Sequence, residues 1–178
     1  MKLLLYSFSL LFMVSCSSHK TLNTVDYLDL NQYQGKWYEL ARLPNRFEKN
    51  LDCVTAEYAL LPSGKIQVVN KGFDISSGLP QRIEGVASPV SEWQVSKLKV
   101  QFVWPFKGDY YVIDLDPEYQ YALVGAPNRE YLWILSKSKY LEEEIYQSLI
   151  AKAKHEGFDV SKLEKVNQDC NSRTIAFK

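Results

Sequence analysis

Residues 31–39 of the chain read Asn31-Gln32-Tyr33-Gln34-Gly35-Lys36-Trp37-Tyr38-Glu39. This stretch joins a polar segment to the first of several runs rich in β-branched and aromatic residues. Gly35 suits a tight turn where a strand begins, because glycine adopts backbone angles that other residues avoid. The first predicted strand therefore begins at Gly35 and extends to residue 43.

Seven further runs follow at hairpin spacing, with Pro, Gly, Asn or Ser between most of them. They cover residues 53–61, 65–73, 81–87, 97–104, 109–115, 119–125 and 130–136. Within one of them, Leu98, Val100 and Phe102 alternate with polar residues, which is the period of a strand with one apolar and one wet face. Eight such strands predict an all-β fold, either an antiparallel barrel or a sandwich.

One helix is predicted after the last strand. Leu141, Ile145, Leu149 and Ala153 recur every four residues, the spacing of an apolar helix face. Acidic residues occupy the first turn and basic residues the last, which complements the helix dipole, and Gly157 supplies the stop. We expect this helix to pack its apolar face on the outside of the β-structure.

The first sixteen residues have the pattern of an export signal. Lys2 precedes the apolar run 3–14, which is shorter than the roughly 20 residues that span a membrane. Ser15 and Cys16 follow and resemble a bacterial lipobox, with Met13 where that pattern usually has Leu. The predicted organisation is a lipoprotein signal peptide over residues 1–15, a lipid-anchored tether over 16–30 with the lipid on Cys16, and a folded domain over 31–178.

Charge and composition argue against nucleic-acid and metal binding. The chain has 21 basic and 21 acidic residues; removal of 1–15 takes Lys2 away and leaves 20 against 21, a net charge of −1. A nucleic-acid binder normally presents a basic face. The histidines, His19 and His155, together with two distant cysteines do not complete a zinc shell. We therefore expect no nucleic-acid partner, no metal and no cofactor.

The three cysteines can be divided into one lipid-attachment site and one pair. If Cys16 carries lipid, Cys53 and Cys170 remain as a pair. Pairs of this kind are usually bridged in exported proteins, because the compartment is oxidising. A disulfide is therefore predicted, and two free thiols are the alternative.

Three segments resemble the sequence signatures of the lipocalins. Residues 31–39 resemble the first signature, a short helical turn running into a Gly-x-Trp strand, and residues 119–124 and 131–137 resemble the second and third. The resemblance covers most of residues 28–178 and is strongest to bacterial lipoprotein members of the family and to apolipoprotein D. It implies an eight-stranded antiparallel up-and-down β-barrel with the C-terminal α-helix packed outside.

The resemblance also implies structural roles. Gly35 makes the turn into the sheet, Trp37 plugs the closed end of the barrel, and Lys137 stands where the family has an Arg lying over that Trp. Lys lacks the planar guanidinium, so a looser closure is implied. Cys53 and Cys170 match the positions of a bridge in apolipoprotein D, which would pin the C-terminal tail to the barrel.

Strand parity, counted from an inward-facing Trp37, predicts which residues line the interior. Small residues mixed with aromatic ones indicate an apolar cavity, and a solidly packed core is the alternative. The predicted ligand-binding residues are Ala41, Ala56, Tyr58, Val68, Asn70, Ile83, Val100, Phe102, Tyr110, Tyr131 and Trp133. The polar members expected to orient a carboxylate or phosphate are Asn70, Tyr110, Tyr131 and Trp133. Arg42, Arg46 and Lys49 are expected near the open end, where they either attract an anionic headgroup or are simply solvated.

The predicted function is a membrane-anchored lipocalin that binds fatty acids or lysophospholipids for lipid storage or transport in envelope maintenance. Ser17 follows Cys16, where an Asp would signal retention in the inner membrane, so the outer membrane is implied in a bacterium with two membranes. One alternative is an envelope adaptor that binds protein partners through the barrel surface. A lipid-modifying enzyme, with Glu39 as its inward carboxylate, has less support, and no enzyme activity is expected. Whether the protein forms a homodimer is left open.

Overall fold

The computed structural model describes residues 21–170. The strands are β1 (Gly35–Arg42), β2 (Leu51–Leu60), β3 (Ile66–Asp74), β4 (Leu79–Pro89), β5 (Lys97–Val103), β6 (Phe106–Leu115), β7 (Tyr121–Gly125), β8 (Leu132–Ser136) and β9 (Glu164–Lys165). The helices are α1 (Leu30–Tyr33), α2 (Glu143–His155) and a 3-10 turn at Val160–Lys162. The predicted signal peptide and the predicted lipid site at Cys16 lie outside the described residues.

The eight long strands form a closed barrel. Strands β2 to β8 pair antiparallel in chain order, and β1 pairs with both β8 and β2. The structure therefore confirms the barrel and excludes the sandwich alternative. The end that carries the connections 43–50, 75–78, 104–105 and 126–131 is termed the open end. The opposite, closed end carries α1 and the connections 61–65, 90–96 and 116–120.

A short ninth strand, which strand patterning did not predict, completes the wall between β1 and β2. The direct pairing of β1 with β2 stops at Tyr38 and Thr55. Beyond that point β9 pairs with Ala41 and Arg42 of β1. Residues 164–170 of the C-terminal tail therefore fill the seam towards the open end.

The seam is held by a side-chain amide and by a disulfide. Gln168 is buried, and its Nε2 donates to the carbonyl of Glu39 at 2.7 Å and to that of Val54 at 2.8 Å. Cys53 and Cys170 are bridged, which confirms the predicted pair. Because the bridge joins β2 to Cys170, it holds residues 164–170 in the seam.

Apolar clusters lie on both sides of the barrel wall. The interior cluster includes the buried side chains of Trp37, Val68 and Leu98. The outer cluster joins α2 to the outward faces of β1, β7 and β8, with Leu149 and Ala153 of the helix fully buried in it. The predicted helix and its position outside the barrel are confirmed. Within residues 21–170, no helix is long and apolar enough to cross a membrane.

Candidate ligand-binding site

Trp37 and Lys137 close one end of the barrel. The Trp37 side chain is fully buried, and its Nε1 donates to the carbonyl of Tyr33 at 2.8 Å. The Lys137 ammonium lies 4.2 Å from the centroid of the indole and donates to the carbonyl of Gln34 at 2.6 Å. Partial burial lowers the pKa of Lys137. Gly35, with φ of +90°, lies beside the ammonium in the left-handed region that favours glycine.

Three tyrosines form a hydrogen-bonded chain inside the barrel; Tyr33 and Tyr58 are buried and Tyr110 is half-buried. The hydroxyl of Tyr110 lies 2.7 Å from that of Tyr33 and 2.8 Å from that of Tyr58. Burial raises the pKa of all three hydroxyls, so they stay protonated at neutral pH. The Tyr110 hydroxyl, which the sequence predicted to orient a ligand headgroup, therefore already has two hydrogen-bond partners within the protein.

An aromatic wall continues from this chain to the open end. The rings of Tyr110 and Trp133 stack with centroids 6.5 Å apart, and those of Trp133 and Tyr131 with centroids 5.9 Å apart. Tyr131 in turn stacks on Phe47 of the β1–β2 connection at 6.3 Å. One side of the interior is thus a continuous apolar surface that leads to the exterior.

A β-bulge in β1 reverses which side chains face inward. The pairing of β1 with β8 shifts between Glu39 and Ala41. Beyond the shift, Ala41 pairs with Ile134 and is buried in the outer cluster, whereas Arg42 pairs with the inward-facing Trp133. The prediction that Ala41 lines the interior is wrong, because the bulge inverts the alternation on which it rested.

Arg42 organises a buried polar cluster at the level of the bulge. Its Nη1 lies 2.8 Å from Oε1 of Glu39 in a buried ion pair. Its Nη2 donates to the carbonyls of Glu48 and Leu51, at 2.9 Å each. Arg42 is therefore neither solvated nor free to bind a headgroup, because it ties β1 to the connection over the open end.

Two carboxyl groups share this cluster. Burial, followed by repulsion from Glu48, raises the pKa of Glu39 well above its ordinary value of 4.5, while Arg42 acts in the opposite direction. The Glu48 carboxylate accepts from Trp133 Nε1 at 2.9 Å and from Asn45 Nδ2 at 2.6 Å. The indole donor of Trp133, predicted to meet a ligand, is therefore occupied by Glu48. Strand patterning did not find Glu48, because it lies in a connection.

Exposure of the inward-facing residues increases towards the open end. Asn70 pairs with Ala56 on one side and with Ile83 on the other, so the three share the inner face. Along β4, Ala87 near the closed end is 2% exposed, whereas Ile83, four residues nearer the open end, is 45% exposed. Ile83 lies beyond Val86, where the pairing of β4 with β5 ends. The interior is therefore accessible from this side.

Phe102 and Gly85 show the same opening from β5. An added Cβ on Gly85 would lie 2.7 Å from the Phe102 ring and 2.6 Å from the carbonyl oxygen of Gln101. The ring thus packs directly on the inner face of Gly85 while 36% of Phe102 stays exposed. A larger residue at position 85 would push this ring away.

The remaining predicted residues are distributed as follows. The interior cluster contains Ala56, Tyr58 and Val68, with Val100, Tyr110 and Trp133 packed against it. It also contains Ala87 and Leu98, which the predicted ligand set omitted. Buried Oδ1 of Asn70 has no hydrogen-bond partner among the described residues, so it is an acceptor available to a ligand donor.

Two other kinds of site receive no support from residues 21–170. No group of three or more His, Cys, Asp or Glu side chains is arranged there to hold a metal ion. A shallow depression of about 300 Å³ lies beside Lys36, Glu57 and Val69. These residues occupy the register positions opposite to Trp37, Ala56 and the other inward residues, so the depression belongs to the outer wall.

Comparison with known proteins agrees with this architecture. Residues 28–168 match the lipocalin-like domain family. The outer membrane lipoprotein Blc of Citrobacter freundii is 45% identical over 158 residues, which cover 87% of this chain and 89% of the relative. Apolipoprotein D of Macaca fascicularis is 35% identical over 149 residues, 79% of this chain and 77% of the relative. The crystal structure of the cockroach allergen Per a 4 superposes with a TM-score of 0.68 at 22% identity, covers 85% of this chain and 95% of that one, and so supports the fold. The chain belongs to the lipocalin family.

Proposed function

We propose that the protein is a lipid-anchored lipocalin that holds the acyl chain of a fatty acid or lysophospholipid in its barrel, for lipid storage or transport in the envelope. The observation that carries the proposal is the gradient of exposure along the inner face. Trp37 and Val68 are buried, whereas the inward-facing apolar side chains of Ile83 and Phe102 remain accessible to solvent. An apolar interior that opens at one end suits a ligand with a long apolar tail.

The hydrogen-bonding groups of the interior favour a ligand that enters the barrel with its acyl tail first. The donors of Trp133 and Arg42 are engaged by other protein groups, and the hydroxyl of Tyr110 already has two hydrogen-bond partners. A carboxylate or phosphate brought deep into the barrel would lose its water without gaining these donors, which is unfavourable. The headgroup is therefore placed at the open end, where Arg46 and Lys49 are exposed.

The anchor is proposed from the sequence and from the relatives. The apolar run that ends at Ser15 and Cys16 favours cleavage before Cys16 and acylation of its thiol. The relative from Citrobacter freundii is named an outer membrane lipoprotein, and we propose the same location here. Replacement of Cys16 by Ala is expected to release the protein from the membrane fraction, and unchanged fractionation would reject the anchor.

Native mass spectrometry tests the ligand directly. The full-length acylated protein is extracted gently, stripped of bound lipid, and measured before and after addition of oleate or lysophosphatidylethanolamine. The proposal predicts a mass increase equal to one lipid per chain. If the stripped protein gains no lipid while its unfolding transition is intact, the carrier function is rejected and the surface-adaptor alternative is favoured.

A further inference from the structure

Large apolar side chains are exposed together at the open end. They come from three connections and the strand ends beside them, and we term them the apolar rim: Phe47, Leu79, Val103, Trp104 and Phe106. Trp104 is 83% exposed and Phe106 is 75% exposed. Single exposed apolar residues are normal on soluble proteins, but several at one end of a molecule mark a contact surface.

The N-terminal segment, traced from Asp29 towards the N-terminus, runs from the closed end towards the open end. Asp29 lies at the closed end, where its N–H donates to the hydroxyl of Tyr119. Six residues earlier, the Asn23 side chain donates to the carboxylate of Glu156, at the end of α2. The backbone carbonyl of Glu156 accepts from Arg129, which belongs to an open-end connection. Traced from Asp29 towards the N-terminus, the described chain therefore runs in the direction of the open end.

The remaining distance to the proposed anchor is short. Five residues separate Thr21 from Cys16 if Cys16 is included, and an extended chain of that length spans at most about 18 Å. An acyl group on Cys16 would hold the open end near the bilayer. Basic side chains accompany the rim, since Arg46 and Lys49 flank Phe47 within four residues and Lys107 follows Phe106. Aromatic and basic side chains together suit the interface between acyl chains and phosphate groups.

We propose that the apolar rim inserts into the phospholipid leaflet that carries the anchor, so that the mouth of the barrel opens directly onto lipid. The inference rests on the anchor part of the proposed function and does not depend on ligand occupancy. The acyl tail of a lipid would then pass between the leaflet and the barrel along the aromatic surface of Phe47, Tyr131 and Trp133, without crossing bulk water.

Trp93 and Trp104 provide a matched pair for the test. Trp93 is 90% exposed and lies in a closed-end connection, opposite to the rim. The full-length acylated protein is reconstituted in vesicles of phosphatidylethanolamine and phosphatidylglycerol whose acyl chains are brominated, because bromine quenches nearby tryptophan fluorescence. Both test variants carry Trp133→Phe, so that lipid inside the barrel does not quench the interior indole. One then carries Trp93→Phe and the other Trp104→Phe.

The variant that retains Trp104 is expected to be strongly quenched, and the one that retains Trp93 is expected to lose most of that quenching. Equal quenching of the two variants, or stronger quenching of Trp93, would overturn the proposal. Native mass spectra of the wild-type protein, reconstituted and extracted in the same way, keep the two proposals apart. Selective quenching of Trp104 without a lipid adduct rejects ligand binding and supports the rim; a lipid adduct with equal quenching rejects the rim alone.

Discussion

The guanidinium of Arg42 and the carboxylate of Glu39 form an ion pair inside the barrel, with 2.8 Å between Nη1 and Oε1. The bulge in β1 makes this contact possible, since regular alternation would have turned Arg42 to the outer face. Removing one partner of a buried pair leaves the other uncompensated. The pair thus couples the β1–β2 connection to the wall of the candidate site.

The first prediction is that the raised pKa of Glu39 makes the stability of the fold depend on pH. Its pKa is raised in the folded state, mainly by burial, from an ordinary value of 4.5. Its contribution to stability is therefore fully present below the unfolded pKa and is lost as the pH rises through the raised folded pKa. Glu39→Gln removes this titration. Urea unfolding from pH 4 to pH 8 is expected to show the variant gaining stability relative to wild type as the pH rises.

The control for this prediction is Glu57→Gln, which changes a half-exposed carboxylate on the outer face. The pH profile of Glu39→Gln relative to wild type is compared with that of this variant. A constant difference between Glu39→Gln and wild type at every pH would show that Glu39 has the same proton affinity in the folded and unfolded chains.

The second prediction concerns the closure at Lys137. Lys137→Ala removes an ammonium that contacts the Trp37 ring and the Gln34 carbonyl. Together these contacts are expected to contribute about 1–3 kcal/mol to the free energy of unfolding. Lys137→Arg, which restores the residue usual in the family, should match or exceed wild type because the guanidinium is planar and has more donors. Chemical unfolding of the three proteins tests this order, and an Ala variant as stable as wild type would contradict it.

The third prediction concerns the disulfide. The bridge joins positions 117 residues apart, and loop entropy gives roughly 4–5 kcal/mol for closing a loop of this size. Cys170→Ser is expected to lower the free energy of unfolding by up to that amount and to loosen the tail around Gln168. Hydrogen exchange should then increase at residues 164–170 and in β1 before it increases in β5. Equal stability of the oxidised and reduced wild-type protein would argue against any role of the bridge.

The fourth prediction compares the effects on stability of replacing two strand glycines, Gly85 and Gly108, by alanine. A Cβ on Gly85 would meet the carbonyl oxygen of Gln101 at 2.6 Å, whereas a Cβ on Gly108 would have no atom within 4 Å. Gly85→Ala is therefore expected to cost about 1–3 kcal/mol through backbone displacement. Gly108→Ala should be close to neutral. Thermal unfolding of the two variants tests the difference, and equal midpoints would mean that the wall yields at Gly85 without cost.

Strand alternation was sufficient for most of the barrel wall, because long stretches pair without a register shift. The shifts in the pairings of β2 and β5 lie outside the stretches that carry Ala56 and Val100, so these two residues and Val68 were placed correctly on the inner side. The C-terminal helix was equally readable, since its apolar stripe repeats every four residues. These features depend on local periodicity alone.

The residues of the candidate site were harder to predict where a bulge interrupts the alternation of side chains along a strand. A bulge adds one residue without any obligatory change of composition, so Ala41 was assigned to the wrong face and Arg42 was missed as an interior residue. The adjacent apolar pair Leu40 and Ala41 was a signal, because two neighbouring apolar residues do not fit simple alternation. Glu48 and Gln168 reach the wall from segments distant in sequence, and no local pattern identifies such contacts.

Ligand binding inside the barrel is tested most directly by calorimetric titration with fatty acids and lysophospholipids of graded chain length. Each buried methylene should contribute roughly 0.8 kcal/mol, less the cost of ordering the chain. Affinity should therefore rise with chain length and level off once the interior is full. Ala56→Trp, which adds bulk beside Trp37 on the inner face, should weaken long chains more than short ones, whereas the outward Glu57→Gln should have little effect. Affinity that does not depend on chain length, or equal effects of the two substitutions, would contradict a ligand site inside the barrel.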